Sequence, residues 1–472
     1  MSDDIYRLLL FLHVYDSNRF SYYRHYLKIV RLRFFPSCDR SMVKDSSLPE
    51  REENDFEPIV ERTGFLGLSN NLWRLAAVMG IAQLSVALWK WEFSIFLERF
   101  MQPWQIGIVF SVATFAGLIA SIFSGYIADF IGRRWTIALG FLPVTFGLLT
   151  MSIIPIWPYV AIQYSLVWFG MSTARLMSRA IPADEIASDD GHNPARRLMM
   201  VMMPLWFLDA LGPFLGSILL NAGFQSSNLH GLAAIISMAT FLSAIILIKE
   251  SLGTDVRKKA RSGPKISIRQ LGRDYWLLAL GMIGFSFSWS LSIQYLGNLC
   301  VGPWNVDAIT YGLTWSLFSL TSAFIMYPAS TLTDRNLKGS LIVGVFGNAI
   351  IFLWFSIGSG AIMMYLINFV WAIPFVFWIG AERSIIVLVV SEETKGRALG
   401  TYDLLMGIVG MFGQLFGAMI WELTDSLRAV WATAGIGMLI SCFILLILLR
   451  YIQNGKIAGF HQRSELLFKS KR

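Results

Sequence analysis

The chain has 472 residues, 55% hydrophobic and only 15% charged, with 17 tryptophans and 35 phenylalanines. A water-soluble protein carries roughly 25% charged residues, so a soluble globular chain is excluded. The formal net charge of +8 accompanies no nucleic-acid-binding motif; in so apolar a chain it marks basic loops on one face of a membrane.

Residues 1–71 are read as a cytoplasmic N-terminal segment. In it "YRLLLFLHVYDS" follows two aspartates, and its apolar core is too short for a signal helix with a cleavage site. Residues 43–62 are polar and charge-rich, which predicts disorder, and Met42 is an alternative start. From residue 72 hydrophobicity comes in runs of roughly 20 residues, enough to cross ~30 Å of hydrocarbon at ~1.5 Å per residue. The runs predict spans at 72–97, 104–128, 135–154, 158–180, 198–221 and 229–248. A second set follows at 275–299, 308–330, 339–357, 361–390, 398–422 and 427–451. In lipid each span must satisfy its own backbone, so the expected fold is an all-α membrane protein. Its twelve transmembrane helices form two pseudo-symmetric six-helix bundles, 72–248 and 275–451, joined by a basic linker, 249–274, and followed by a tail, 452–472.

Lys and Arg gather on one side of this arrangement: Arg133, Arg134, Arg196, Arg197, the linker, Arg335, Lys338, Lys395, Arg397 and the tail. The other side shows little more than Arg99 and Arg428. That bias predicts a multi-pass protein of the cell membrane with both termini in the cytoplasm. Cys38, Cys300 and Cys442 form no pair with metal or redox spacing. His13, His25, His192 and His461, and His230 at the very edge of the sixth span, are read as lying outside the apolar interior of the spans. No cofactor, metal or enzymatic activity is therefore expected.

Between spans 2 and 3 stands "GYIADFIGRR", residues 125–134. Gly125 permits close helix approach and Gly132 a tight turn, while Asp129 is an acceptor between the donors Arg133 and Arg134 and the bilayer. The second half repeats the device in "STLTDRNLKGS", with Asp334, Arg335 and Lys338. Asp129 and Asp334 are 205 residues apart (334 − 129), and the post-span acids Glu185 and Glu393 are 208 apart (393 − 185). Two nearly equal offsets indicate a duplicated six-helix unit with parallel halves. This loop closely resembles the signature of the major facilitator superfamily, and the resemblance covers residues 72–451. It implies that Asp129 sits against the helix beginning near Ala398, with Arg133 and Arg134 in a cluster holding the cytoplasmic side shut. Phe130 departs from the Arg that commonly follows the Asp. Glu185 with Arg197 and Glu393 with Arg397, and "KES" at 249–251, resemble the sugar-porter branch. In span 5, Gly212-Pro213-x-x-Gly216 is similar to the signature of the proton-coupled drug antiporters, with Ser217 in place of that pattern's second Gly, and ordinary close helix packing is the favoured explanation of it.

An ionisable group in a bilayer costs roughly 2.5–3.5 kcal/mol, so those present face a cavity or a partner. Lys90 and Glu92 in "ALWKWEFSIF" point about 200° apart, so at most one aims at a central cavity. Glu92 resembles an acid that many superfamily members carry in helix 1, and is the candidate for substrate or proton binding. The other reading puts both at the outer interface, with Lys90 snorkelling beside Trp89 and Trp91. Asp209 lies near mid-membrane, where an ion pair with Arg175 is expected, either structural or opening when a proton or substrate binds. Arg179, Glu382 and Arg383 read as an intracellular charge network, or as contacts for an anionic substrate. Asp403 is expected at the gate near Asp129. Gln294 suits a sugar hydroxyl or helix packing.

With the resemblance, these residues lead to the expectation of a monomeric secondary transporter in a lipid bilayer, moving a small molecule by alternating access. The resemblance implies protons as the driving ion. Symport of a sugar or organic acid, drug–proton antiport, and a non-transporting receptor on the same scaffold remain open. No nucleotide-binding loop is present to supply direct ATP drive.

Overall fold

The computed structural model describes residues 69–188, 194–250, 271–390 and 395–452. Most of the N-terminal segment, linker and tail, and with them Cys38, His13, His25, His192, His461 and Glu393, lie outside the described residues. The first half consists of α1 (Asn70–Glu98), α2 (Pro103–Ile131), α3 (Arg133–Ile153), α4 (Tyr159–Ser188), α5 (Pro194–Asn221) and α6 (Ser226–Leu247). The second consists of α7 (Arg273–Val301), α8 (Ala308–Arg335), α9 (Leu337–Ile357), α10 (Ala361–Val389), α11 (Lys395–Thr424) and α12 (Leu427–Tyr451). Among the described residues, eleven of the twelve are long and apolar enough to cross a membrane. The other is α4, whose described stretch carries Gln163 and Arg175 among its apolar residues.

Each predicted span contains one of these helices or is contained in it, to within a few residues, except at two places. α4 runs past the expected end at 180 to Ser188, through Pro182. Residues 275–299 are expected as one regular helix, but α7 tightens into a 3₁₀ turn at Ile293–Tyr295 before its last stretch, Leu296–Val301. His230, read from sequence as peripheral to the spans, lies in the first turns of α6, buried against Trp89, Phe93 and Phe96.

The two halves use one packing map. In the first, α3 packs on α4 and α6, α1 on α5 and α6, and α2 on α4; in the second, α9 packs on α10 and α12, α7 on α11 and α12, and α8 on α10. The halves meet along two seams, α5 with α8 and α2 with α11. Pro143 on α3 lies where a Cβ on Gly170 would press, and Gly347 on α9 leaves the same room for Pro374 on α10. Positions 143 and 347 are 204 apart, as are 170 and 374, so ring and gap have exchanged helices between the halves.

The basic-side turns repeat as well. Gly132, at φ 95°, ends α2 and begins α3 in a conformation that suits glycine. The Glu250 carboxylate accepts from the backbone N–H groups of Arg133 and Arg134 at 3.0 and 3.3 Å, capping α3. In the second half Asn336 caps α9 by accepting from the Gly339 N–H at 2.9 Å. The Arg134 guanidinium donates to the Ile245 carbonyl at the end of α6. Lys338 donates to the Leu449 and Ile452 carbonyls at the end of α12, both at 3.0 Å. Arg134 and Lys338 are 204 apart, and so are Ile245 and Leu449. A cation at a helix C-terminus contributes about 0.3–1 kcal/mol, so these loop charges also tie helix ends together.

The outward faces of α3, α6, α9 and α12 expose large apolar side chains, including Phe146, Ile235, Ile246, Val343, Phe346 and Phe443. Their natural solvent is lipid.

Candidate functional site

The central site begins with a close helix crossing. Gly212 on α5 lies where a Cβ would meet the backbone of Ala87 and Leu88 on α1, and Gly216 meets the Leu88 carbonyl. Ser217 donates to the Ile309 carbonyl of α8 at 3.3 Å. Span 5's Gly-Pro stretch thus packs α5 tightly on α1 and α8. The next turn of α1 carries Lys90 and Trp91 into a cavity of about 300 Å³ between the two halves.

Six helices each contribute one tryptophan to its wall: Trp91 from α1, Trp168 from α4, Trp206 from α5, Trp289 from α7, Trp315 from α8 and Trp371 from α10. Trp289 packs against Trp371 with centroids 5.8 Å apart, and Trp206 meets Phe375 edge-on at 5.1 Å. Polar groups on the wall are few: Lys90, Ser94, Asp209, Gln294 and the hydroxyls of Tyr164 and Tyr311. A mostly aromatic concavity with a few polar groups is the usual form of a small-molecule site.

A second cavity of about 290 Å³ adjoins it on the side of the basic loops. Arg175, Arg383 and Asp403 line it, and Trp168 and Gln294 belong to both cavities. Lys90 Nζ stands 5.3 Å from the Trp168 ring centre and the Arg175 guanidinium 5.1 Å from it.

The expected site residues separate into groups. Lys90, Asp209 and Gln294 line the central cavity and Arg175 the second. Glu92, the sequence candidate for binding substrate or proton, is instead buried on another face of α1, away from the cavity and against the start of α6. It accepts from Arg99 Nη2 at 2.7 Å and from Ser226 Oγ at 2.8 Å. The angle between positions 90 and 92 decided this, since turning Lys90 inward sends Glu92 towards α6. Asp209 departs from expectation too. Its carboxylate accepts from Gln83 and from Ser319, both at 2.5 Å, where a pair with Arg175 was expected. Gln294, on both walls, lies within the 3₁₀ turn of α7.

Glu382, Arg383 and Asp403 do form a network, but inside the second half. Arg383 pairs with Asp403 at 2.5 Å and lies 3.8 Å from Glu382, which accepts from Tyr402 at 2.5 Å. Asp403 therefore sits on a guanidinium. Gly125, Asp129, Arg179, Glu185, Arg197 and Arg397 lie on α2, α4, α5 and α11, but their side chains lie outside the described residues. Asp334 is half-buried and Arg335 exposed at the end of α8.

At the far side from the basic loops the halves are in contact. Asn298 Nδ2 on α7 donates to the Ser94 carbonyl at 3.0 Å and to the Glu98 carboxylate at 2.6 Å. Gly297 lies against Ser94 and Ile95. Both arginines on this side bind within the protein, Arg99 to Glu92 and Arg428 to the Ser356 and Pro303 carbonyls at 3.3 and 3.2 Å. They are thus consistent with the charge bias of the loops.

The tryptophan wall is the part that sequence reasoning missed. A signal was present, since six spans each carry a tryptophan that reaches the cavity. Among 17 tryptophans, however, spacing alone does not say which point inward.

The Major Facilitator Superfamily model matches residues 75–381. No curated protein matches the chain significantly. Solved structures match at low identity. A variant of the nucleoside transporter NupG aligns with a TM-score of 0.66 and 12% identity, over 80% of this chain and 100% of that one. A POT family transporter aligns at 0.65 and 13%, over 83% and 98%. The human organic anion transporter MFSD10 aligns at 0.58 and 18%, over 79% and 99%. At such identities the likeness is one of fold alone. With the family model spanning well over half the chain, and paired six-helix halves enclosing a central cavity, this protein belongs to the Major Facilitator Superfamily.

Proposed function

We propose that the protein is a secondary transporter carrying a small organic acid across the cell membrane, coupled to protons and acting as a monomer. In this reading both termini and the linker face the cytoplasm. The observation that carries it is the cavity between the halves, where Lys90 and Asp209 share an aromatic enclosure. Lys90 is the group that would receive a carboxylate. Asp209, held by residues of α1 and α8, would move its proton as the halves rock. Sugar recognition is less well served, because the wall is mostly aromatic and its neutral hydrogen-bonding groups, chiefly Gln294, Ser94 and the hydroxyls of Tyr164 and Tyr311, are few for a ring of hydroxyls. Among proteins of similar fold are a nucleoside transporter, an organic anion transporter and a POT family transporter in complex with a conjugated peptide, which is compatible with this class.

Drug–proton antiport is the second reading, favoured by the six indole rings around Asp209. Uptake into proteoliposomes with and without an imposed pH gradient tests both. Accumulation driven by inward proton flow supports symport, outward solute flow against it supports antiport, and no solute flux in either direction defeats the transport reading.

A further inference from the structure

Two cations share one indole. Lys90, at the central cavity, and Arg175, at the second, both stand over the Trp168 ring, at 5.3 and 5.1 Å. That ring is part of both cavity walls. A cation–π contact leaves the charge of the ammonium intact, so each cation still attracts an anion strongly in a low-dielectric site. Among the described residues no carboxylate forms an ion pair with Lys90. Asp209, on the same wall, is already bonded at each oxygen, by Gln83 and by Ser319. Across the second cavity, Asp403 is bound to Arg383.

The wall chemistry constrains the rest of the ligand. Six indoles present flat faces and edges suited to a flat partner ring. Trp206 carries a buried Nε1–H with no acceptor among the described residues. An acceptor atom on the ligand would satisfy it. The cavity, at about 300 Å³, lies at the small end of ligand sites, which suits a compact ring system.

We propose that the ligand is a planar aromatic carboxylate. Its anionic group passes from Arg175 in the second cavity to Lys90 in the central one, with Trp168 as the shared ring between the two stations. The inference rests on the transporter reading for its biological use, but its chemistry is a statement about binding. Arg175 acts on approach, Lys90 holds the carboxylate, and the tryptophans select the flat body.

Binding of tritiated 2-naphthoate to the full-length protein in detergent, read by scintillation proximity, tests it. Saturable binding is expected, with the saturated analogue decalin-2-carboxylate and the amine 2-naphthylmethylamine each at least about tenfold weaker as competitors. Lys90→Gln is expected to weaken binding by about tenfold or more and Lys90→Arg to restore most of it. Arg175→Gln is expected to slow association, more so at low salt than at high salt. Equal competition by the saturated acid or the amine overturns the proposal, as does the absence of 2-naphthoate binding. Those wild-type measurements stand even if a variant fails to fold. Failure of the transport reading looks different: aromatic acid binding persists while proteoliposomes carry out no exchange. Exchange of another solute class without 2-naphthoate binding defeats this inference and leaves transport standing.

Discussion

Ser319 on α8 donates a hydrogen bond to Asp209 on α5 at 2.5 Å, across a seam between the two halves. Gln83 on α1 holds the other carboxylate oxygen at the same distance. One side chain thus links two helices of the first half to the second, at the wall of the cavity. In the alternating-access reading proposed above, a bond in this position would break or re-form as the halves rock, which would join the chemistry of the site to the motion.

Asp209→Asn keeps an acceptor for Ser319 and removes the titratable charge. Stimulation of uptake by a pH gradient should fall by about tenfold or more, while solute exchange without a gradient persists. Side-by-side flux measurements in proteoliposomes check this. Unchanged pH stimulation would remove Asp209 from proton coupling.

Closure on the far side is expected to be obligatory in the transport cycle. A Cβ on Gly297 would lie 3.0 Å from Ser94 Oγ, within range for a disulfide after modest adjustment. The double variant Ser94→Cys, Gly297→Cys should cross-link the halves on oxidation, stop flux, and recover it on reduction. Full flux through a completely cross-linked sample would contradict alternating access by rocking.

Gly212 meets the backbone of Ala87 and Leu88, which has little freedom to yield. Gly212→Val should cost about 1–3 kcal/mol through overpacking, seen as a lower melting temperature in detergent. Gly223, with open space around its Cβ position, is a poor control because its φ of 93° disfavours any side chain. Gly400, which also has open space, should tolerate alanine with a much smaller shift.

Asp307 precedes α8 and accepts from the Thr310 N–H at 2.8 Å. Hydrogen bonds from the side chain and backbone of Thr310 hold its carboxyl below the ordinary value of 3.8. A depressed carboxylate adds stability above its unfolded-state value and loses it as pH falls through the folded one. Asp307→Ala should cost about 0.5–2 kcal/mol at neutral pH, as for other N-caps. The difference in melting temperature from the parent should shrink at pH values below 3.8. A constant difference down to strongly acidic pH would show that the carboxylate charge plays no part.

The sequence by itself determined the number of spans and most of their limits, because lipid forces an apolar stretch of set length to close its own hydrogen bonds as a helix. It also carried the duplication, legible in the pairing of Asp129 with Asp334, and a short list of intramembrane charges. Periodicity placed Lys90 and Glu92 on different faces of α1 but did not say which face met the cavity. Crossing α1 with α5 at Gly212 and Gly216 decided that, turning Lys90 inward and Glu92 towards Arg99 and Ser226. Likewise Asp209 was evident as a buried acid, yet its bonds to Gln83 and Ser319 join residues 126 and 110 positions away. The tryptophan wall depends on the rotation of six helices about their own axes. Helix formation is local and readable from consecutive residues; rotation and partner choice are set by packing between distant segments, and only the tertiary structure decided them.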